Sequence, residues 1–130
     1  TPKPSSAASD VYKRQPLAFA GDAQARELVE QGIILGWDRQ LSSLQRVFIY
    51  LVLEHAEDPL QQARSVQLFA ELAEAASAAE RELFGGFLDY AVRHQQVVQR
   101  FGRFPHRNEI LGRVSSADEL RFLAEPGSRF

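Results

Sequence analysis

The sequence predicts an all-α protein, and two observations support that prediction. Apolar residues recur every three or four positions through most of the chain, which is the spacing of amphipathic helices. No stretch of useful length alternates with a period of two, so we expect no strand. The chain has 130 residues, which leaves room for one domain at most. Because it contains no cysteine, disulfides and thiolate metal sites are excluded.

Charge and hydropathy argue against two broad classes of partner. The formal net charge is −2, which argues against a general nucleic-acid-binding protein. No apolar run approaches the ~18 residues that a membrane-spanning helix needs. We therefore expect no nucleic-acid partner, no membrane association and a cytoplasmic location.

The first fifteen residues differ from the rest of the chain in composition. Both lysines, Lys3 and Lys13, lie there, whereas residues 16–130 contain twelve arginines and no lysine. Residues 5–15, SSAASDVYKRQ, match the translation of a transposase-based sequencing adapter. We therefore predict that residues 1–15 are an artefact without defined structure. Residues 16–130 are then predicted to be a single helical domain that lacks its N-terminal part.

Five helices and one helical turn are predicted, and most of their ends are marked by capping or helix-breaking residues. The expected ranges are 21–32, 42–56, 59–76, 80–101, 107–111 and 117–125. The residues that mark the ends are Asp22, Gly32, Ser42 or Ser43, Pro59, Gly102, and Ser116 with Glu119.

The apolar faces of these helices predict which side chains are buried. The run 47–53, VFIYLVL, is apolar nearly all round, which is typical of a helix buried on most sides. The third helix is expected to bury a face that carries Leu60, Ala63, Val66 and Phe69. The aromatic residues expected to act as packing anchors are Trp37, Phe48, Phe69, Phe101 and Phe104.

Residues 93–113 reverse the local sign of charge in an acidic chain, since they carry five arginines, two histidines and one glutamate. Arginine binds phosphate and carboxylate groups through two parallel hydrogen bonds. The sequence therefore predicts a site for a small anion or an acidic protein partner. Its predicted residues are Arg100, Arg103, His106, Arg107, Asn108 and Arg113. The alternative is that these arginines pair with acidic residues and hold the helices together.

His55 and His94 occupy apolar faces of predicted helices, and Glu54 precedes His55. Buried polar groups need partners, so one interpretation is a hydrogen-bonded network between helices. Another is an enzyme that uses Glu54, His55 and His94 for acid–base chemistry on a small anionic substrate. A metal site built from these residues and His106 ranks below both, because no metal-binding spacing is present. We predict no metal and no cofactor, and favour a binding protein over an enzyme.

Four segments of the chain resemble the bacterial DUF924 family. They are RVFIYLVLEHAED, QARSVQLF, HQQVVQRFGRFPHRNEILGR and ADELRFLAEPGSRF. The resemblance covers residues 16–130 and implies antiparallel helix pairs in a TPR-like right-handed superhelix. It implies no reaction, because the function of the family is not established. Family members also carry a tryptophan-rich start and a second Phe-Pro-Arg-Asn turn, and their absence here indicates a truncated N-terminal part.

Overall fold

The computed structural model describes residues 23–130, and every regular element in that range is helical. The all-α prediction is therefore confirmed for this part of the chain. The α-helices are residues 23–34 (α1), Ser43–Glu54 (α2), Pro59–Ala75 (α3), Arg81–Phe101 (α4) and Ala117–Leu123 (α5); short 3₁₀ helices cover Trp37–Gln40 and Pro105–Arg107. None of the helices in the described range is long and apolar enough to cross a membrane. The predicted artefact over residues 1–15 and the predicted cap at Asp22 lie outside the described residues.

The described residues form two compact units, which we call the helical unit (residues 24–103) and the C-terminal unit (residues 104–130). In the helical unit, α3 packs against both α2 and α4. The buried core of this unit consists of Val47, Tyr50, Phe69, Leu72, Phe84 and Ala91. In the C-terminal unit, α5 packs against the 3₁₀ helix at Pro105–Arg107. The TPR-like superhelix and the single domain over residues 16–130 stay predictions.

Three helices begin at the residues that the sequence marks. The Ser42 side chain accepts a hydrogen bond from the Gln45 N–H, and the Gln45 side chain accepts one from the Ser42 N–H. Ser116 and Glu119 form the predicted capping box at the start of α5 in the same way. Pro59 is the first residue of α3, where its missing N–H costs nothing. These interactions satisfy N–H groups that a helix leaves without partners.

Of the two glycines predicted to end helices, Gly102 does so and Gly32 does not. Gly102 follows α4 with a φ of 74°, a left-handed conformation that glycine adopts without steric cost. The predicted end at Gly32 is wrong, because α1 continues to residue 34 and Gly36 adopts the left-handed conformation instead. The helical turn predicted over residues 107–111 is a 3₁₀ helix at Pro105–Arg107 followed by hydrogen-bonded turns.

Two of the predicted packing anchors are exposed. Trp37 is 61% exposed and Phe48 is 67% exposed, whereas Phe69 and Phe104 are buried. The buried face of α3 also differs from the predicted face. Leu60 is exposed, and the buried residues of this helix are Gln62, Ser65, Phe69 and Leu72. The core therefore contains polar side chains that an apolar pattern does not predict.

A buried polar contact joins α2 to the 3₁₀ helix at Trp37–Gln40. The Tyr50 hydroxyl donates to Asp38 Oδ2 at 2.5 Å, and both side chains are buried. The Arg46 guanidinium donates to the carbonyl oxygens of Asp38 and Arg39 at 2.8 and 2.9 Å. Burial, together with the hydrogen bond to Asp38, raises the pKa of Tyr50, so its hydroxyl keeps its proton and remains a donor at neutral pH.

We expect Tyr50→Phe to lower the free energy of unfolding by about 1–3 kcal/mol, because the buried Asp38 carboxylate loses its donor. Urea unfolding measures this loss. The slope of the free energy of unfolding against urea concentration should be the same in the variant and the wild type. Tyr50→Phe combined with Asp38→Asn should recover part of it, since the buried carboxylate is then removed as well. A single variant as stable as the wild type would contradict this account.

Candidate functional site

The carboxyl end of α2 presents two of the predicted site residues. The helix ends at Glu54, and His55 follows as its C-cap, with its backbone N–H bonded to the Leu51 and Leu53 carbonyls. Glu54 is buried, with 1% of its surface exposed, and His55 is half-buried. The Nδ1 of His55 lies 2.7 Å from the Leu51 carbonyl oxygen. A carbonyl only accepts, so Nδ1 carries a proton, and in a neutral ring Nε2 then carries the lone pair.

His94 comes from the buried face of α4, as its position on the apolar spacing predicts. It is fully buried. Its Nδ1 lies 2.8 Å from the carbonyl oxygen of Tyr90, one turn earlier, so the proton again sits on Nδ1. The rings of His94 and His55 meet edge to face, with centroids 5.3 Å apart. The two histidines thus belong to one contact between α2 and α4.

Glu54, His55 and His94 converge, and we call them the Glu–His–His cluster. One side-chain ligand atom from each residue lies within 4.8 Å of the other two. Burial raises the pKa of the Glu54 carboxyl from 4.5 to about 7. Within the described residues, its buried Oε2 has no hydrogen-bond partner. The cluster has the donors for proton exchange or for holding a cation. The fourth residue weighed for a metal site, His106, belongs to the C-terminal unit.

Gln62 fixes the end of α2 against α3, and the sequence interpretation missed it. Its Nε2 donates to the carbonyl oxygens of Glu54 and Ala56 at 2.6 and 2.8 Å, and the side chain is fully buried. These bonds satisfy carbonyls that a helix end leaves open. The one available signal in the sequence is helical spacing. Gln62 and Ser65 lie seven and four residues before Phe69, which places them on the same face of the helix. The backbone beside the Glu–His–His cluster is therefore held by α3.

The residues from Phe104 to Arg113 form a tight turn, which we call the basic turn. Asn108 is buried at its centre and donates from Nδ2 to Ser115 Oγ and Glu119 Oε2, at 3.0 and 3.2 Å. Its Oδ1 accepts from Arg113 Nε at 2.9 Å. Arg113 also donates from Nη2 to the Phe104 carbonyl at 3.2 Å. Asn108 therefore organises the turn, and Arg113 is held in one orientation.

The other predicted anion-binding residues occupy different surroundings. Arg107 is buried, with its guanidinium 4.7 Å from the centre of the Phe104 ring. Arg100 is exposed and lies 4.6 Å from the Phe101 ring centre. Arg103 is half-buried. Arg100 and Arg103 belong to the helical unit, whereas the basic turn belongs to the C-terminal unit.

The C-terminal unit contains a cavity of about 400 Å³ with a mixed polar and apolar lining beside the basic turn, which we call the basic pocket. It is lined by Pro105, His106, Glu109, Arg113, Ser115, Leu120, Leu123 and Arg129. The rings of His106, Phe104 and Phe130 form a cluster in which each ring contacts the other two, at centroid distances of 5.9 to 6.1 Å. Arg129 was not predicted. Its backbone is placed by the preceding buried Ser128, whose hydroxyl donates to the Leu123 carbonyl.

The helical unit contains an apolar cleft of about 310 Å³ between α1, the first 3₁₀ helix and α2. It is lined by Leu28, Val29, Gly32, Ile33, Trp37, Asp38, Leu41 and Ile49. Leu28 and Trp37 are largely exposed at its edge. This cleft offers apolar contact area and one buried carboxylate, and it shares no lining residue with the Glu–His–His cluster.

Fold and sites together define a small all-helical protein with a basic pocket and a buried Glu–His–His cluster. The chain belongs to the family described as bacterial protein of unknown function (DUF924), whose profile matches residues 8–127. The match begins inside residues 5–15, and the adapter origin of that segment stays a prediction.

A solved structure is also similar to the chain. It is a protein of unknown function from Agrobacterium tumefaciens, with 38% sequence identity and a TM-score of 0.67. The similarity covers 82% of this chain and 54% of that one, so the chain spans about half the length of this relative. None of the curated proteins matches the chain. The family match and the similar structure therefore establish the family membership and the fold of the chain, and neither indicates a reaction.

Proposed function

We propose that the protein is a helical binding protein whose basic pocket holds a small anion or an acidic group of a protein partner. One observation carries the proposal: His106, Arg113 and Arg129 line one cavity in which Glu109 is the acidic lining residue. A concave, partly apolar wall with a few converging polar groups is typical of a ligand site. Arginine at such a position recognises carboxylate or phosphate through paired hydrogen bonds.

The bonds within the basic turn support this proposal through preorganisation. The Arg113 guanidinium is oriented by Asn108 and by the Phe104 carbonyl, so little side-chain freedom remains to be lost on binding. The proposal is narrower than the set of six residues predicted from sequence. It assigns ligand contact to His106 and Arg113, adds Arg129, and gives Asn108 a role in shaping the turn.

An enzyme that uses Glu54, His55 and His94 on a small anionic substrate is the alternative function. Its support is the convergence of these side chains within 4.8 Å. However, Glu54 and His94 are buried, and the basic pocket and the apolar cleft are lined by other residues. The binding function therefore has the better support.

We expect Arg129→Gln to weaken binding of inorganic phosphate or succinate about tenfold, because loss of one charge-assisted contact is worth about 1.4 kcal/mol. Isothermal titration calorimetry on the full chain at low ionic strength measures the two affinities. Arg121→Gln is the matched control, since it removes the same charge from an exposed residue that does not line the pocket. Arg121 pairs with Asp118 on α5 and should leave the affinity unchanged.

Two outcomes would contradict the proposal. The first is an equal loss of affinity in Arg129→Gln and Arg121→Gln, which would indicate attraction by the general charge of the protein. The second is the absence of any saturable binding of either anion to the wild type.

The TPR-like arrangement of helical repeats and the cytoplasmic location are part of the same proposal, since a cytoplasmic helical-repeat protein fits a role in binding.

A further inference from the structure

We propose that Glu54, His55 and His94 form a binding site for a divalent transition-metal cation of the zinc type. The three residues come from the end of α2 and from the buried face of α4, and each offers one ligand atom within 4.8 Å of the others. They lie in the helical unit and share no residue with the basic pocket. This inference is therefore independent of the proposed anion binding.

The donor atoms suit such a cation. Two imidazole nitrogens and one carboxylate oxygen form a ligand set that zinc accepts, with one further position left for water or another group. Mg²⁺ and Ca²⁺ prefer sites made of oxygen atoms alone, so this set disfavours them. A tetrahedral ion at about 2.0–2.1 Å from each ligand places those atoms roughly 3.4 Å apart. Side-chain movements on the order of 1 Å bring the three ligands to that spacing.

Backbone hydrogen bonds hold both histidine rings in place. Each donates from Nδ1 to the carbonyl one helical turn before it, at 2.7 Å for His55 and 2.8 Å for His94. Such a bond fixes the ring orientation and places the lone pair on Nε2. Metal-binding histidines are commonly oriented by a bond of this kind. The local helix geometry thus helps to orient both rings.

A second, independent observation points to a cation at this position. The Glu54 side chain is 99% buried, and within the described residues its Oε2 has no hydrogen-bond partner. A buried carboxylate oxygen without a partner is unfavourable, and a cation offsets that cost. Gln62 holds the backbone carbonyl of Glu54, so the carboxylate extends from a fixed end of α2. His55 is the least buried of the three residues.

The test uses the full chain without an affinity tag, stripped with EDTA and dialysed. We expect calorimetry to show one Zn²⁺ per chain, and we expect Co²⁺ to give visible absorption bands of a four-coordinate site. Glu54→Gln and His55→Ala should each weaken Zn²⁺ binding by about 100-fold, because each removes a direct ligand. Zn²⁺ should also raise the melting temperature of the wild type, since it binds the folded state.

Glu74→Gln is the matched control for Glu54→Gln, because it makes the same change at an exposed residue of α3 that lies outside the cluster. It should retain wild-type affinity for Zn²⁺, and Mg²⁺ should not compete. Circular dichroism establishes that each variant is folded, and His94→Asn joins the series if it folds. The proposal is overturned if the folded wild type binds no stoichiometric Zn²⁺, or if Glu54→Gln and His55→Ala bind Zn²⁺ as tightly as Glu74→Gln does.

Discussion

Replacing Phe69 with alanine is expected to lower the free energy of unfolding by about 3–5 kcal/mol. Phe69 is 1% exposed and meets the Tyr50 ring edge to face, with centroids 6.0 Å apart. It belongs to α3, which packs against both α2 and α4, so a cavity there weakens both contacts. Domains of this size are stable by only about 5–15 kcal/mol, and the loss would be a large share of that.

Phe48→Ala provides the matched control, because it is the same chemical change at a residue of α2 that is 67% exposed. We expect a change of less than about 0.5 kcal/mol for that variant. Phe69→Leu should fall between the two, since leucine fills part of the cavity. Chemical denaturation of the three variants measures the differences. Equal stabilities for Phe69→Ala and Phe48→Ala would contradict the described core.

The ends of the helices were predictable because capping is local chemistry. Ser42, Pro59, Gly102 and Ser116 act on backbone groups within four residues of themselves, so the sequence contains all that is needed. Gly32 shows the limit of that argument. Glycine tolerates both a helix interior and a left-handed turn, and α1 ends at residue 34, two residues before Gly36 adopts the left-handed conformation.

The buried faces were less predictable, because apolar character shows which residues can be buried but not which neighbour covers them. The run 47–53 is apolar on nearly all sides, and its pattern does not distinguish the inner from the outer face. The structure buries Val47, Tyr50 and Leu53 and exposes Phe48. The buried Gln62 was missed for a related reason, since its partners are backbone carbonyls of another helix.

Some features of the candidate sites were predictable from the sequence and others were not. That Glu54 and His55 are neighbours follows from the chain, and the helical spacing predicted that His94 is buried. Their convergence depends on how α2 and α4 pack, and no local spacing contains that information. Arg129 was missed because the predicted basic cluster ended at Arg113, and the fold of the C-terminal unit brings Arg129 into the same pocket wall.

We expect the metal-free protein to lose stability as the pH rises from about 4.5 to about 7, because of Glu54. Burial raises the pKa of its carboxyl from 4.5 to about 7. Below pH 4.5 the carboxyl is protonated in both states, so folding is not penalised. Between the two values the unfolded chain releases the proton while the folded protein keeps it, so stability falls with rising pH. Well above pH 7, where both states are deprotonated, the penalty levels off at about 3 kcal/mol.

Glu54→Gln removes the titrating group and keeps the shape of the side chain. In EDTA, the variant should be more stable than the wild type by about 3 kcal/mol at pH 8, and the difference should diminish toward pH 4.5. His55 and His94, which converge with Glu54, are present in both proteins, so the two proteins differ only in the carboxyl group. Glu74→Gln, the same change at an exposed residue of α3, should leave the pH profile unaltered.

The sign of this difference separates two roles for the Glu–His–His cluster. If Glu54 served only to hold the helices together, removing its charge would break a useful contact and Glu54→Gln would be the less stable protein. A more stable variant means that the charged carboxylate opposes folding at neutral pH. Residues that oppose folding yet occupy a preorganised cluster are typical of functional sites, where stability is given up for binding or chemistry. Thermal and urea unfolding at pH 5 and pH 8 therefore distinguish a structural cluster from a functional one without any knowledge of the ligand.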